Sequence, residues 1–327
     1  MKMRTLGRWG MGGLLSSLAL GAADVVPPAS AEPVSTPPQV MASVPVTADP
    51  YVQEIQAWQA QRTANLTKPD GWLTLIGLHF LTPGENTVGT APDNAVVLAK
   101  GPAHLGAFTL APNGMVRGAF NTGVEVRVDG QLMLAANLRD DTHGKPTMLT
   151  VGTVSLYVID RDGKKALRVK DSEAESRTHF LGLDYFPIDP SWRIEAQWVA
   201  FDKPKEVPIR NILGSVSPAM MLGKAVFTRD GRTYELFPIQ EDPEEPLFFI
   251  ISDQTSGDTT YAAARFLYAA LPVDGKVILD FNKAQNPPCA FTPFATCPLP
   301  PKENQLPLAV TAGEKKYRGH AEHGVSP

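Results

Sequence analysis

Apolar residues in this chain recur first with a helical period and then in short runs broken at close intervals. Tyr51, Ile55, Trp58 and Arg62 fall on one helical face. Asp49 and Pro50 before them suit the N-cap and the first helical position, so a helix is predicted from residue 49 to about residue 67. From Gly71 onward the runs are separated by Pro83-Gly84, Asn113-Gly114, Asp129-Gly130, Asp162-Gly163, Asp230-Gly231 and Asp274-Gly275. Such pairs favour tight turns between antiparallel strands. Residues 151–159 and 166–169 read as one hairpin, and residues 224–228 and 233–237 as another. No helical pattern separates the strands, which excludes repeated βαβ units. The expected fold is all-β, a mainly antiparallel sandwich or partly closed barrel, with one N-terminal helix.

The chain ahead of that helix has another character. Lys2, Arg4 and Arg8 precede an apolar stretch over residues 11–23, and Ala29, Ser30 and Ala31 supply small residues for cleavage. Residues 1–31 are therefore predicted to be a signal peptide, too short in its apolar part for the roughly 20 residues of a membrane span. Export to the periplasm or to the outside is expected, with no lipid anchor. Residues 32–48, rich in Pro, Val, Ser and Thr, are expected to be a disordered linker. The polar, proline-broken stretch 201–208 suggests a boundary between an N-terminal helix and β subdomain over 49–202 and a C-terminal β subdomain over 203–319. Glu241, Asp242, Glu244 and Glu245 read as a solvated loop, and residues 320–327 as a tail.

Once residues 1–31 are removed, 27 basic residues face 33 acidic ones, a net charge of −6. That balance gives no footprint for nucleic acid or an anionic membrane. The chain lacks a GxSxG elbow, an HExxH pair, a phosphate-binding Walker loop and a GxGxxG turn before a helix. His79, His104, His143 and His179 have no metal-ligand spacing, and His320 and His323 sit in the tail. No metal and no cofactor is expected.

Candidate chemistry gathers near the C-terminus. Residues 286–304 carry Cys289 and Cys297 among closely spaced prolines, a pattern closed to helix and central strand. In an oxidising compartment the two cysteines are expected to form a disulfide, whose nine-residue loop would contribute about 2.6 kcal/mol. Metal binding and redox chemistry are the less favoured alternatives. Residues 261–271 and 276–282 read as paired strands, although the alanines of the first also suit a helix. Pairing across a two- or four-residue loop would put Arg265, Asp280 and Asn282 on one face. Arg265 could hold an anionic or carbonyl group with Asp280 fixing its fork, or the two could form a structural pair. Asp253, Asp280 and Glu303 are the candidate acid–base carboxylates. Arg265, Tyr261, Asn282, Asn286 and Asn304 are the candidate ligand-binding residues.

The segments GWLTLIGLHFLTPGENTVG, SDQTSGDTTYAAARFL and VILDFNKAQNPPCAFTPFATCPLPPKENQLPLAVTAGEK, in that order, resemble the bacterial domain of unknown function 1684 family. The resemblance implies a bacterial, often exported or surface-associated protein and carries no established reaction. A fainter one lies in GENTVGTAPDNAVVLAKGPAHLGAFTL, which resembles the opening strands of forkhead-associated domains. It implies a sandwich with His104 in a loop. It does not imply phosphopeptide binding, because Thr90 stands where that family has arginine, and Gly101 and Pro102 where it has serine.

Two functions are compatible with these residues. One is a small-ligand or active-site pocket in the C-terminal half, serving metal-independent hydrolase or lyase chemistry. The other is a non-catalytic envelope protein that recognises a polymer or partner through β surfaces. The expected partner is a small molecule or a cell-envelope component, with no nucleic acid and no membrane span.

Overall fold

The structure, a computed structural model, describes residues 49–142, 144–240 and 244–319. The expected signal segment, linker and tail lie outside the described residues, as do His143, Glu241, Asp242, His320 and His323.

Helix α1 (Pro50–Leu66) starts where the pattern requires. Asp49 Oδ1 accepts the Tyr51 amide at 2.9 Å, and Pro50, which has no amide hydrogen to leave unpaired, occupies the first turn. Eleven strands follow: β1 (Leu75–Phe80), β2 (Gly84–Gly89), β3 (Val96–Val97), β4 (Gly106–Leu110), β5 (Val116–Phe120), β6 (Arg127–Val128), β7 (Gln131–Leu132), β8 (Ala135–Leu138), β9 (Leu149–Val151), β10 (Val154–Arg161) and β11 (Lys164–Asp171). They form a six-stranded sheet, β1-β11-β10-β9-β6-β7, and a five-stranded sheet, β3-β2-β4-β5-β8. Every pair is antiparallel except the short β2–β3 contact.

Both sheets contribute to one apolar core. Val88, Phe108, Val116 and Phe120 come from the five-stranded sheet, and Leu156, Val158, Leu167 and Val169 from the six-stranded one. Each such side chain, fully buried, stabilises by about 1.5–3 kcal/mol. The β10–β11 hairpin turns at Asp162 (φ 55°) and Gly163 (φ 77°). A two-residue hairpin loop of this hand needs positive φ at both positions, which Asp and Gly tolerate best. Period-two alternation then decides what each face carries. With Leu156, Val158, Leu167 and Val169 turned into the core, Tyr157, Ile159, Arg161, Ala166 and Arg168 stand on the opposite face.

The C-terminal half begins with the one-turn helix α2 (Glu175–Thr178) and then β12 (Arg193–Arg210), β13 (Val216–Arg229), β14 (Arg232–Leu236), β15 (Leu247–Ile251), β16 (Arg265–Ala269) and β17 (Lys276–Asp280). A four-stranded sheet runs β14-β13-β12-β17, and β15 pairs with β16. The second predicted hairpin is present as β13–β14, turning at Asp230 and Gly231. Phe227, Leu236, Phe249, Ile251, Leu267, Leu279 and Phe281 fill the core of this half.

The stretch 201–208 lies inside β12. Beyond Gln197 that strand pairs only with β13, so Pro204 and Pro208 sit where one edge needs no donors. The segments around 265 and 280 are not paired strands: β16 pairs with β15, and β17 with β12. Only a tight turn, in which Val273 and Lys276 exchange backbone hydrogen bonds, joins them.

Candidate functional site

The predicted site residues separate into distinct networks. Arg265, at the start of β16, is 1% exposed. Its Nη2 donates to Asp253 Oδ2 at 2.8 Å and to the Val310 carbonyl at 2.9 Å, and its Nη1 donates to the Ala312 carbonyl at 2.5 Å. Asp253 Oδ1 accepts the Thr255 amide and hydroxyl at 2.8 and 2.6 Å. This arginine and carboxylate therefore hold the C-terminal segment onto β16. The expected grouping of Arg265 with Asp280 and Asn282 is not found, because strands in different sheets have no common register to align their side chains.

Asp280 and Asn282 instead dock the first helix. The Tyr51 hydroxyl donates to Asp280 Oδ1 at 2.8 Å, and Asn282 Nδ2 donates to Tyr51 Oη at 2.9 Å and to the Asp189 carbonyl at 2.8 Å. Burial and the neighbouring Asp280 carboxylate hold the Tyr51 phenol well above its ordinary range. Asn304, fully buried, accepts the Phe237 amide at 2.8 Å and donates to the carbonyls of Phe237 and Ile250 at 2.8 and 3.0 Å, joining the β14 end to β15. Glu303, beside it in sequence, is exposed and lines a shallow depression with Arg232, Tyr234 and Phe237.

Asn286 joins a network built on a carboxylate not singled out above. Glu314 is fully buried, its Oε1 accepting Arg62 Nε at 2.8 Å and its Oε2 the Asn286 amide at 2.7 Å. Burial pushes its carboxyl above the usual glutamate range, against the opposing pull of Arg62. Gly313 precedes it with φ 79°, and a Cβ there would lie 2.4 Å from the Ala284 carbonyl oxygen. The AGEK segment noted in the sequence thus contains both the glycine that permits this close approach and the buried acid, but only the fold supplies Arg62 from α1.

The Tyr261 hydroxyl donates to the Cys289 carbonyl at 3.2 Å. Cys289 and Cys297 are buried free thiols in this structure, so the expected disulfide is not present. Each sulfur instead accepts the other's backbone amide, at 3.1 and 3.3 Å. Side-chain hydrogen bonding between the two thiols holds Cys289 below the ordinary thiol range and, together with burial, pushes Cys297 above it. Among the described residues, no group of three His, Cys, Asp or Glu side chains is arranged to hold a metal ion. No helix among them is long and apolar enough to cross a membrane.

The space suited to a ligand lies elsewhere, between the outer face of the six-stranded sheet and the C-terminal half. A cavity of about 500 Å³ is walled by Ile209, Ala219, Ile239, Phe248 and Tyr268. The Phe248 and Tyr268 rings stack at 4.9 Å between centroids, fixing one wall. Polar groups enter from Asn211, Ser217, Gln240, Thr296 and Arg161, and the exposed Glu245 stands at the rim. Arg161, at the end of β10, is held by Asp141 through contacts of 2.8 and 3.1 Å, and its Nε donates to Thr296 Oγ1 at 3.3 Å. An apolar body with a few convergent polar groups, lined from both halves of the chain, is the usual form of a small-molecule site. None of the predicted site residues lines it. The polar residues at its rim are spread over more than a hundred positions, from Arg161 to Thr296, and the sole local signal was a charged Arg168, next to the cavity wall, within the otherwise apolar strand 166–169.

Residues 178–315 match the family described as "Protein of unknown function (DUF1684)". A similar solved structure is the solution NMR structure of an uncharacterised protein from Haloarcula marismortui, 32% identical, covering 44% of this chain and 81% of that one, with a TM-score of 0.38. No curated protein matches the chain.

Proposed function

Because residues 178–315 belong to the DUF1684 family, whose description assigns no activity, we propose a function from the cavity itself: an exported protein that binds a small organic molecule between its two halves. The cavity carries this reading, since its volume and mixed lining suit a ligand with an apolar body and a few hydrogen-bonding groups. Export rests on Lys2, Arg4 and Arg8 ahead of the apolar stretch 11–23. Hydrolase or lyase chemistry gains no support from the carboxylates proposed for it. Asp253 is committed to Arg265, Asp280 to Tyr51, and neither borders the cavity.

The test is a thermal-shift screen of the purified protein against small amphipathic molecules, run beside Ala219→Trp. Ligand that binds only the folded state stabilises it by about 2.7 kcal/mol at a hundredfold excess over Kd. The indole of the variant fills the cavity, so every positive shift should disappear while the far-UV circular dichroism is unchanged. Shifts that survive in a folded Ala219→Trp protein would place binding elsewhere.

A further inference from the structure

Behind the cavity wall at Thr296 lies an imbalance of charge. Arg168, on β11, is 4% exposed, yet no carboxylate among the described residues pairs with it. Its Nε has no hydrogen-bond partner, and its Nη2 reaches only Thr296 Oγ1, at 3.5 Å, the long limit for such a bond. The rings of Trp72 and Tyr157 lie 5.5 and 6.0 Å from the guanidinium carbon. Cation–π contacts of this kind offset part of the lost hydration and leave the in-plane donors unserved. Arg161 donates to the same Thr296 oxygen from the neighbouring strand at 3.3 Å. Two guanidinium groups thus converge on one hydroxyl at the cavity wall, and Asp141 neutralises only one of them. A buried cation without a counter-charge is costly unless an anion completes it.

We propose that the ligand is an organic monocarboxylate, its carboxylate seated at Thr296 beside Arg161, with Arg168 behind that wall, and its aliphatic or aromatic body against Ile209, Ala219, Ile239 and Phe248. This rests on the cavity being the binding site and adds the chemical class of what fills it. At Thr296 two guanidinium groups meet one bonded carboxylate, Asp141, while the acid that lines the cavity itself, Glu245, is exposed to solvent. Planar guanidinium groups suit carboxylate oxygens in geometry as well as charge. The bound carboxylate would accept hydrogen bonds from Arg161 and from the Thr296 hydroxyl, with Arg168 supplying charge from behind.

Calorimetric titration with octanoate and with octan-1-ol separates the two levels of the argument. The expected result is one saturable octanoate site, with octan-1-ol at least tenfold weaker. Thr296→Val, which keeps the shape and removes the hydroxyl, and Arg168→Met, which keeps the length and removes the charge, should each weaken octanoate at least tenfold and leave octan-1-ol unchanged. Equal affinity for acid and alcohol, lost together in Ala219→Trp, would overturn the carboxylate assignment while the cavity reading stands. No binding of either compound to the wild type would overturn both. If Arg168→Met does not fold, Thr296→Val decides alone.

Discussion

Two arginines buried to nearly the same degree serve opposite ends in this molecule. Arg265 is surrounded by acceptors: the Asp253 carboxylate and the carbonyls of Val310 and Ala312 within 2.9 Å. Arg168 has two aromatic rings and one distant hydroxyl. The fold serves the Nη1 and Nη2 of the first and leaves only its Nε without a partner, whereas the second has no bonded carboxylate or carbonyl among the described residues and gains a counter-charge only if an anion enters the neighbouring cavity. Burial and charge by themselves do not distinguish architecture from recognition; the count of satisfied donors does.

The sharpest way to break this comparison is to remove each cation in turn. Arg265→Met strips Asp253 of its partner and frees two backbone carbonyls, and should cost about 3–5 kcal/mol in urea unfolding. A cost near zero would mean that Arg265 is no more structural than Arg168. Gly313→Ala tests the same segment through its backbone, since the added methyl meets the Ala284 carbonyl in a left-handed conformation. A loss of about 1–3 kcal/mol is expected in thermal unfolding. Asn304→Ala leaves the Phe237 amide and two carbonyls unpaired, and should cost about 1–3 kcal/mol by chemical denaturation without altering ligand affinity.

Glu314 supplies a pH signature for the architectural side. Its carboxyl is raised by burial, so the folded state keeps the proton to higher pH than the unfolded chain. Stability is therefore full below the unfolded value of about 4.3 and declines as pH rises through the folded one. Glu314→Gln should flatten that decline in unfolding curves measured across this interval. The smallest effect is expected from Arg168→Met. Exchanging an uncompensated buried cation for an apolar side chain of similar length should change stability by no more than about 1 kcal/mol, in either direction.

Local chemistry made part of this legible in the sequence. Asp49 and Pro50 announced the helix start, and the pairs at 162–163 and 230–231 announced hairpins, because caps and tight turns are decided by neighbouring residues. The strand partners of residues 265–269 and 276–280 were not legible. β16 pairs backward with the strand before it, β15, which leaves β17 to find its partner in the distant β12. The candidate residues were correctly read as polar groups of the C-terminal half, yet most proved to be ties within it. Asn304 alone links three backbone groups. The cavity was invisible because its walls come from β10, β12, β13, β15, β16 and the loop around Thr296. Arg168 carried the one available hint, a charge at a strand position flanked by buried Leu167 and Val169.

The central claim, that the cavity between the two halves holds the ligand, is tested most directly by methyl NMR of isoleucine-labelled protein titrated with octanoate. Ile209 and Ile239 line the cavity, whereas Ile55 and Ile251 are buried elsewhere. The account predicts saturable shifts of the Ile209 and Ile239 methyl signals at one shared affinity, with Ile55 and Ile251 unmoved. Unchanged spectra, or shifts confined to Ile55 or Ile251, would contradict it.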